Sequence, residues 1–206
     1  MNVRSWEGKP GSLSCSFGVA EVSNAVTANR RHLITERQPL VSAFCGMLIW
    51  AITATIALAL VAMILGAPVA QANGHTAFAA SVYKAFSFVC HQIPERSFHL
   101  AGYKFAVCSR CTGLYSGFAL AALIYPIVRS LRQTETPSIV WLFLAAAPLV
   151  IDFSLGYFSI WQNNHASRFA TGALLGSVAV FYILPGLIEL GSRVRFTKKA
   201  TLEASP

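Results

Sequence analysis

At 206 residues, 55% hydrophobic and only 12% charged, the chain is long enough for one domain but too apolar for an ordinary soluble one. Its formal charge of +8 does not make it a nucleic-acid binder, because the basic residues form neither one long run nor a face interleaved with aromatic groups. No P-loop, Gly-rich dinucleotide turn or GxSxG elbow occurs in the sequence, which argues against phosphate-driven transport and serine hydrolysis.

In chain order, residues 1–42 are rich in Ser, Asn, Arg and Glu with no sustained apolar period, which predicts a flexible cytoplasmic arm carrying an inert Cys15. Ala43–Gly66 follows, an uncharged apolar block of 24 residues, enough to cross the ~30 Å of a bilayer's hydrocarbon. A charged segment, an apolar block and Ala70-Gln71-Ala72 also describe a secretory signal. The block exceeds the ~7–15 residues of a signal's apolar region, so it is read as the first membrane span. The loop 67–111 divides in two. His75–Val89, HTAFAASVYKAFSFV, has apolar spacings that predict a short amphipathic helix at the interface. Phe88–Gly113, FVCHQIPERSFHLAGYKFAVCSRCTG, then crowds three cysteines beside two histidines and two arginines, with Pro94 to break a helix and Gly102 to permit a turn. Thr112–Val128, Ile139–Phe158 and Phe169–Leu190 complete four predicted spans; the third holds one acid, Asp152, and the fourth only Glu189 at its end. Residues 191–206 form a basic tail.

The expectation is an all-α integral membrane protein with a four-helix membrane domain over 43–190. Of the 16 lysines and arginines, 11 fall before the first span, between the second and third, or in the tail, against 5 in the two other loops. The positive-inside rule then puts both termini in the cytoplasm and the Cys/His loop outside, in a bacterial inner membrane or a plasma membrane.

The second and fourth spans echo each other. Thr112-Gly113 with Gly117 and Pro126 matches Thr171-Gly172 with Gly176 and Pro185, both TG-x3-G-x8-P at a constant offset of 59. The echo predicts a parallel pseudo-repeat in which Gly113, Gly117, Gly172 and Gly176 let the helix backbones approach closely; the plainer reading is that Gly and Pro are common in such helices.

Cys90-His91 and Cys108-x2-Cys111 supply four soft or borderline ligands, the number a tetrahedral site for zinc or another transition metal needs. Adjacent Cys90 and His91 diverge as side chains, however, and seldom bind one ion. Outside the cytoplasm Cys90 could instead form a disulfide with Cys108 or Cys111. Three cysteines leave one over, which favours a metal, a redox pair with a resolving partner, or His91 acting beside a nucleophilic Cys90. The bland alternative is buried inert cysteines, the reading given to Cys45 in the first span.

Asp152 lies inside a span, where an ionised acid is costly unless paired, and Arg168 or Arg110 opens a neighbouring span at the same membrane face. Gln162, Asn164 and His165 add polar groups there. The pair is either a structural lock between helices or part of a site that grips an anionic ligand, to which Arg96 also contributes. Cys90, His91, Arg96, Cys108, Arg110, Cys111, Asp152, Asn164 and Arg168 come from separated segments, yet simple topology brings them to one face.

CHQIPERSF, VCSRCTGLYSG and NNHASRFATGALLG, with Asp152 in PLVIDF, resemble the DUF2085 family of small predicted membrane proteins over roughly Phe86 to Pro185. In the family's pattern the membrane acid resembles the start of D-G-x-x-Q; here Phe153 and Gly156 stand at those places. The resemblance implies architecture and positions but no activity.

Three functions are therefore expected in turn. The first is an outward Cys/His/Arg/Asp site that binds a metal or exchanges thiols. The second is an enzyme on a lipid-borne or other anionic substrate, with Arg96, Arg110 and Arg168 holding the anion and Asp152 or His91 moving a proton. The third is an assembly protein whose cysteines are staples. The lipid bilayer is the expected partner in all three.

Overall fold

Hydrophobic blocks this long must satisfy every backbone polar group internally, and they do so as helices. The computed structural model describes the backbone of residues 17–203 except 132, 134, 159 and 161, with side chains over 44–191. Cys15, Arg132 and the basic side chains of the arm and the tail lie outside the described groups. The chain divides into residues 1–41 and 42–206.

Helix α1 runs Phe17–Ala72. Residues 17–42, expected to be a flexible arm, are thus helical; no Gly or Pro falls between Val19 and Gln38, so local propensity permits a helix without an apolar stripe. In the second unit four helices are long and apolar enough to cross a membrane: Phe44–Ala72 within α1, Ser109–Val128 (α3), Val140–Tyr157 (α4), and His165–Gly191 within α5, which runs His165–Glu203. The protein is an all-α, four-span membrane protein. α1 continues beyond Gly66 until Gly74, at φ 83°, takes the left-handed conformation that ends helices.

Between α1 and α3 lie α2 (Thr76–Phe86), a 3-10 turn at Pro94–Arg96, and a two-residue hairpin, β1 (His99–Leu100) and β2 (Tyr103–Lys104). α2 is the predicted amphipathic helix, with Ala79, Val82 and Phe86 buried on one face. Ala101 and Gly102 make the hairpin turn, both at positive φ, as a two-residue turn matched to strand twist requires.

The core sits in two clusters. Beneath the cysteine loop, Ile64 and Ala67 of α1 pack against Val82, Phe86, Ala106 and Val107, and Cys90 joins them. Toward the other end, Ala54, Ala122, Tyr125, Val180, Leu184 and Ile188 form the second. The Trp50 indole N–H donates to the Ala122 carbonyl at 2.7 Å, locking α1 onto α3.

α3 and α5 run parallel in near backbone contact. A Cβ at Gly113 or Gly117 would strike the carbonyl of Phe169 or Ala173, and one at Gly172 or Gly176 that of Arg110 or Leu114. The offset seen in the sequence is therefore a reciprocal crossing, each helix receiving the other's backbone in its own Gly-x3-Gly groove. The Ser177 hydroxyl donates across it to the Gly117 carbonyl at 3.2 Å. This places the first turns of α3 and α5 side by side under the cysteine loop.

Candidate functional site

Cys90 ends the turn that follows α2, its N–H donating to the Phe86 carbonyl at 3.0 Å. Gln92 then adopts φ 52°, a left-handed conformation that directs its N–H back to the Cys90 sulfur at 3.5 Å. Cys108 is the N-cap residue of α3 in extended conformation, and its N–H donates to the same sulfur at 3.2 Å. Cys111 lies in the first turn of α3. The sulfurs of Cys90, Cys108 and Cys111 all fall within 4.8 Å of one another, and all three are free cysteines. The hydrogen bond from the Cys111 thiol, followed by that from Cys90, lowers the Cys108 pKa to about 2.

The loop carrying Cys90 is tied down by polar contacts. Lys104 Nζ donates to the Gln92 carbonyl at 2.7 Å, and Gln92 Nε2 donates to the Tyr83 carbonyl at 2.6 Å. The Tyr83 hydroxyl donates to the Lys104 carbonyl, and burial pushes that phenol's pKa up, so it stays a donor. The Ser109 hydroxyl donates to the Arg96 carbonyl at 2.9 Å, fastening the 3-10 turn to α3. Phe98 packs on His165 and Phe169 with ring centroids 5.4 and 6.0 Å away, joining the loop to α5.

Arg110 and Asp152 form an ion pair, with 21% and 11% of their side chains exposed. Of the two arginines expected as partners for the acid, α3's Arg110 is the one in contact. Its guanidinium sits over the Phe153 ring, 5.6 Å from the centroid. Its Nε is buried without a hydrogen-bond partner. Asn163 Nδ2 donates to the Asp152 carbonyl. A Cβ on Gly156 would come 3.0 Å from Asn163 Nδ2, so this glycine makes room for the amide. Phe153 and Gly156, the two departures from the family pattern, thus both serve the ion pair's surroundings.

A cavity of 260 Å³ opens beside the sulfurs, lined by all three cysteines, His91, Arg96, Arg110, Arg168, Gln92, Asn163, Phe153, Gly156 and Tyr157, among others. His91 lies on this wall but contributes no ring nitrogen to the sulfur group. Asp152 stands behind the wall and is connected to the cavity through its ion pair with Arg110. Asn164, expected to face the site, instead caps α5, its Oδ1 accepting the Ser167 N–H at 2.7 Å. His165 Nδ1 lies 3.4 Å from the Ser109 hydroxyl. Sequence reasoning missed Gln92, Asn163 and Tyr157. Adjacent asparagines gave no means of telling the cap, Asn164, from the wall residue, Asn163.

Residues 90–182 match the model of a family described as predicted membrane protein (DUF2085). An uncharacterized protein of Methanocaldococcus jannaschii is 37% identical over 109 residues, 53% of this chain and 70% of its own length. The chain belongs to the DUF2085 family. An uncharacterized protein of Methanothermobacter thermautotrophicus is 34% identical over 107 residues, 50% of this chain and 93% of its own length. No solved structure matches. The DUF2085 segment begins at Cys90 and ends at Tyr182. It therefore encloses the three sulfurs, the Arg110–Asp152 pair, Arg168 and the α3–α5 glycines, while α1 lies before it.

Proposed function

We propose that this DUF2085 protein binds one transition-metal ion, zinc first among candidates, on the thiolates of Cys90, Cys108 and Cys111, leaving the fourth position open to the cavity. The observation that carries it is three sulfurs within 4.8 Å of one another, held by a loop that donates two backbone N–H groups to one of them. Such N–H groups disperse the charge of thiolate ligands, and a soft sulfur donor set suits zinc or another thiophilic metal. Three protein ligands with an open position describe a site that does chemistry or passes a metal on; a purely structural zinc has four. His91 stands on the cavity wall as a candidate for a fourth ligand or a proton carrier. The charge count along the chain supports placing the site on the outer face of a plasma membrane with both termini inside.

A second reading has its own support: Cys108-x2-Cys111 at the start of a helix is the arrangement of thiol–disulfide exchange proteins, with Cys90 as a third, resolving thiol. Elemental analysis with thiol counting on detergent-purified protein separates the two. One metal per chain, with three thiols that become alkylatable only after chelation, is the result expected of the metal site. No metal, with thiols that appear only after reduction, supports exchange chemistry instead. No metal with three freely alkylatable thiols contradicts both.

A further inference from the structure

Three guanidinium groups reach one cavity, and only one of them is neutralised. Arg110 is held by Asp152, while among the described residues no hydrogen bond or ion pair engages the side chains of Arg96 or Arg168. Three positive charges against the Asp152 carboxylate and a single net negative charge on the sulfur group leave an excess of one. A lone Cys108 thiolate and a divalent metal on three thiolates both carry one net negative charge, so this excess persists whether or not a metal is bound. Like charges gathered in a partly desolvated cleft are unfavourable unless an anion joins them. Each arginine is also held in place by its backbone. Arg96 belongs to the 3-10 turn fastened by the Ser109 hydroxyl, Arg110 to the first turn of α3, and Arg168 to the first turn of α5 beside its Asn164 cap. The buried, unpartnered Nε of Arg110 adds an unused donor.

We infer that the cavity binds a phosphoryl group, as phosphate or a phosphate ester, between Arg96, Arg110 and Arg168. A carboxylate offers two oxygens, fewer than three guanidinium forks can use, whereas a tetrahedral phosphoryl group presents three or four. An excess of one positive charge matches a phosphodiester, and the three guanidinium forks also suit a monoester, which carries about −1.5 to −2. The cavity's 260 Å³, against about 30 Å³ for each water of liquid, also leaves room for a substituent on the phosphoryl group, with Phe153 and Tyr157 as apolar wall. A lipid headgroup and a soluble phosphate compound share this chemistry. The inference goes beyond the metal reading and does not rest on it.

The test uses the full chain with Arg96→Gln/Arg168→Gln, and Arg129→Gln as a control beyond the far end of α3. In one arm, delipidated protein in a neutral detergent is melted against inorganic phosphate, with chloride at equal ionic strength. In the other, native mass spectrometry counts phospholipid retained by protein freshly extracted from membranes. A soluble source predicts stabilisation by phosphate whose half-maximal concentration rises roughly tenfold or more in the double variant and is unchanged in the control. A lipid source predicts one retained phospholipid, lost from the double variant and kept by the control. Arg96→Lys/Arg168→Lys keeps the charges but loses the planar forks, so it should fall between parent and glutamine variant, and it serves should the latter fail to fold. The inference is overturned if phosphate acts no differently from chloride and phospholipid retention is the same in parent, variants and control. Running both arms with and without chelator keeps the two proposals apart: a phosphate effect in protein that never held metal would sink the metal reading alone.

Discussion

Cys108 departs far from the ordinary behaviour of a thiol. Its pKa is lowered, so its thiolate persists as pH falls, and the largest cause is the Cys111 thiol donating to it. In metal-free protein at pH 5 an ordinary thiol of pKa ~8.5 is ionised to about one part in three thousand, whereas Cys108 should remain largely thiolate and react with iodoacetamide. Cys111→Ala removes the donor, raises the Cys108 pKa and should close this low-pH reactivity. A Cys108 labelling rate that already drops tenfold per unit below pH 8 in the parent would contradict the lowered pKa.

Asp152 makes a second case at the same scale. Asp152→Asn leaves Arg110 half-buried without its counter-charge. A fully buried pair broken in this way costs about 3–5 kcal/mol, and the partial exposure here brings the expected loss to roughly 2–3 kcal/mol. Thermal melting in detergent measures it, and a melting point equal to the parent's would show that the acid contributes nothing through Arg110. That an acid inside a span needed an arginine was legible in the sequence; which arginine was not. Arg110 and Arg168 both open helices at the same face, and the choice depends on the rotation of each helix about its axis, which hydropathy does not encode. The left-handed Gln92 was equally hidden, because nothing about a glutamine announces positive φ.

Among the elements, α3 and α5 carry the site on their first turns, and their closeness depends on four glycines. Gly117→Ala or Gly176→Ala puts a methyl group against the facing helix's backbone, which cannot move aside as a flexible side chain would. Each should cost roughly 1–3 kcal/mol and displace the first turns that hold Cys111, Arg110 and Arg168. Gly186→Ala, whose added Cβ meets nothing within 4 Å, should be neutral or slightly stabilising, since alanine is the better helix former. Equal melting points for all three variants would mean the close crossing is not needed. These elements were unusually readable. Apolar length marked the spans, and the repeated TG-x3-G spacing marked the crossing. The helix starts were less so: α3 begins at Ser109 rather than Thr112, because its first turn is polar and faces the site.

For the whole molecule, the orientation of the four spans decides which compartment the sulfur cavity faces. From the distribution of basic residues we propose that both termini lie inside. Reporter fusions after residue 132 should then behave as cytoplasmic and those after residue 159 as external. The reverse pattern would put the sulfur cavity in the reducing cytoplasm, and the same side for both would break the four-span arrangement. The central claim concerns the sulfurs themselves, and X-ray absorption at the metal edge of protein purified with zinc tests it most directly. The account predicts one zinc with three sulfur neighbours at about 2.3 Å and one lighter neighbour, oxygen or nitrogen, near 2.0 Å. It further predicts loss of the sulfur shell on Cys90→Ala or Cys111→Ala. A first shell of oxygen and nitrogen alone, or no bound metal, would contradict it.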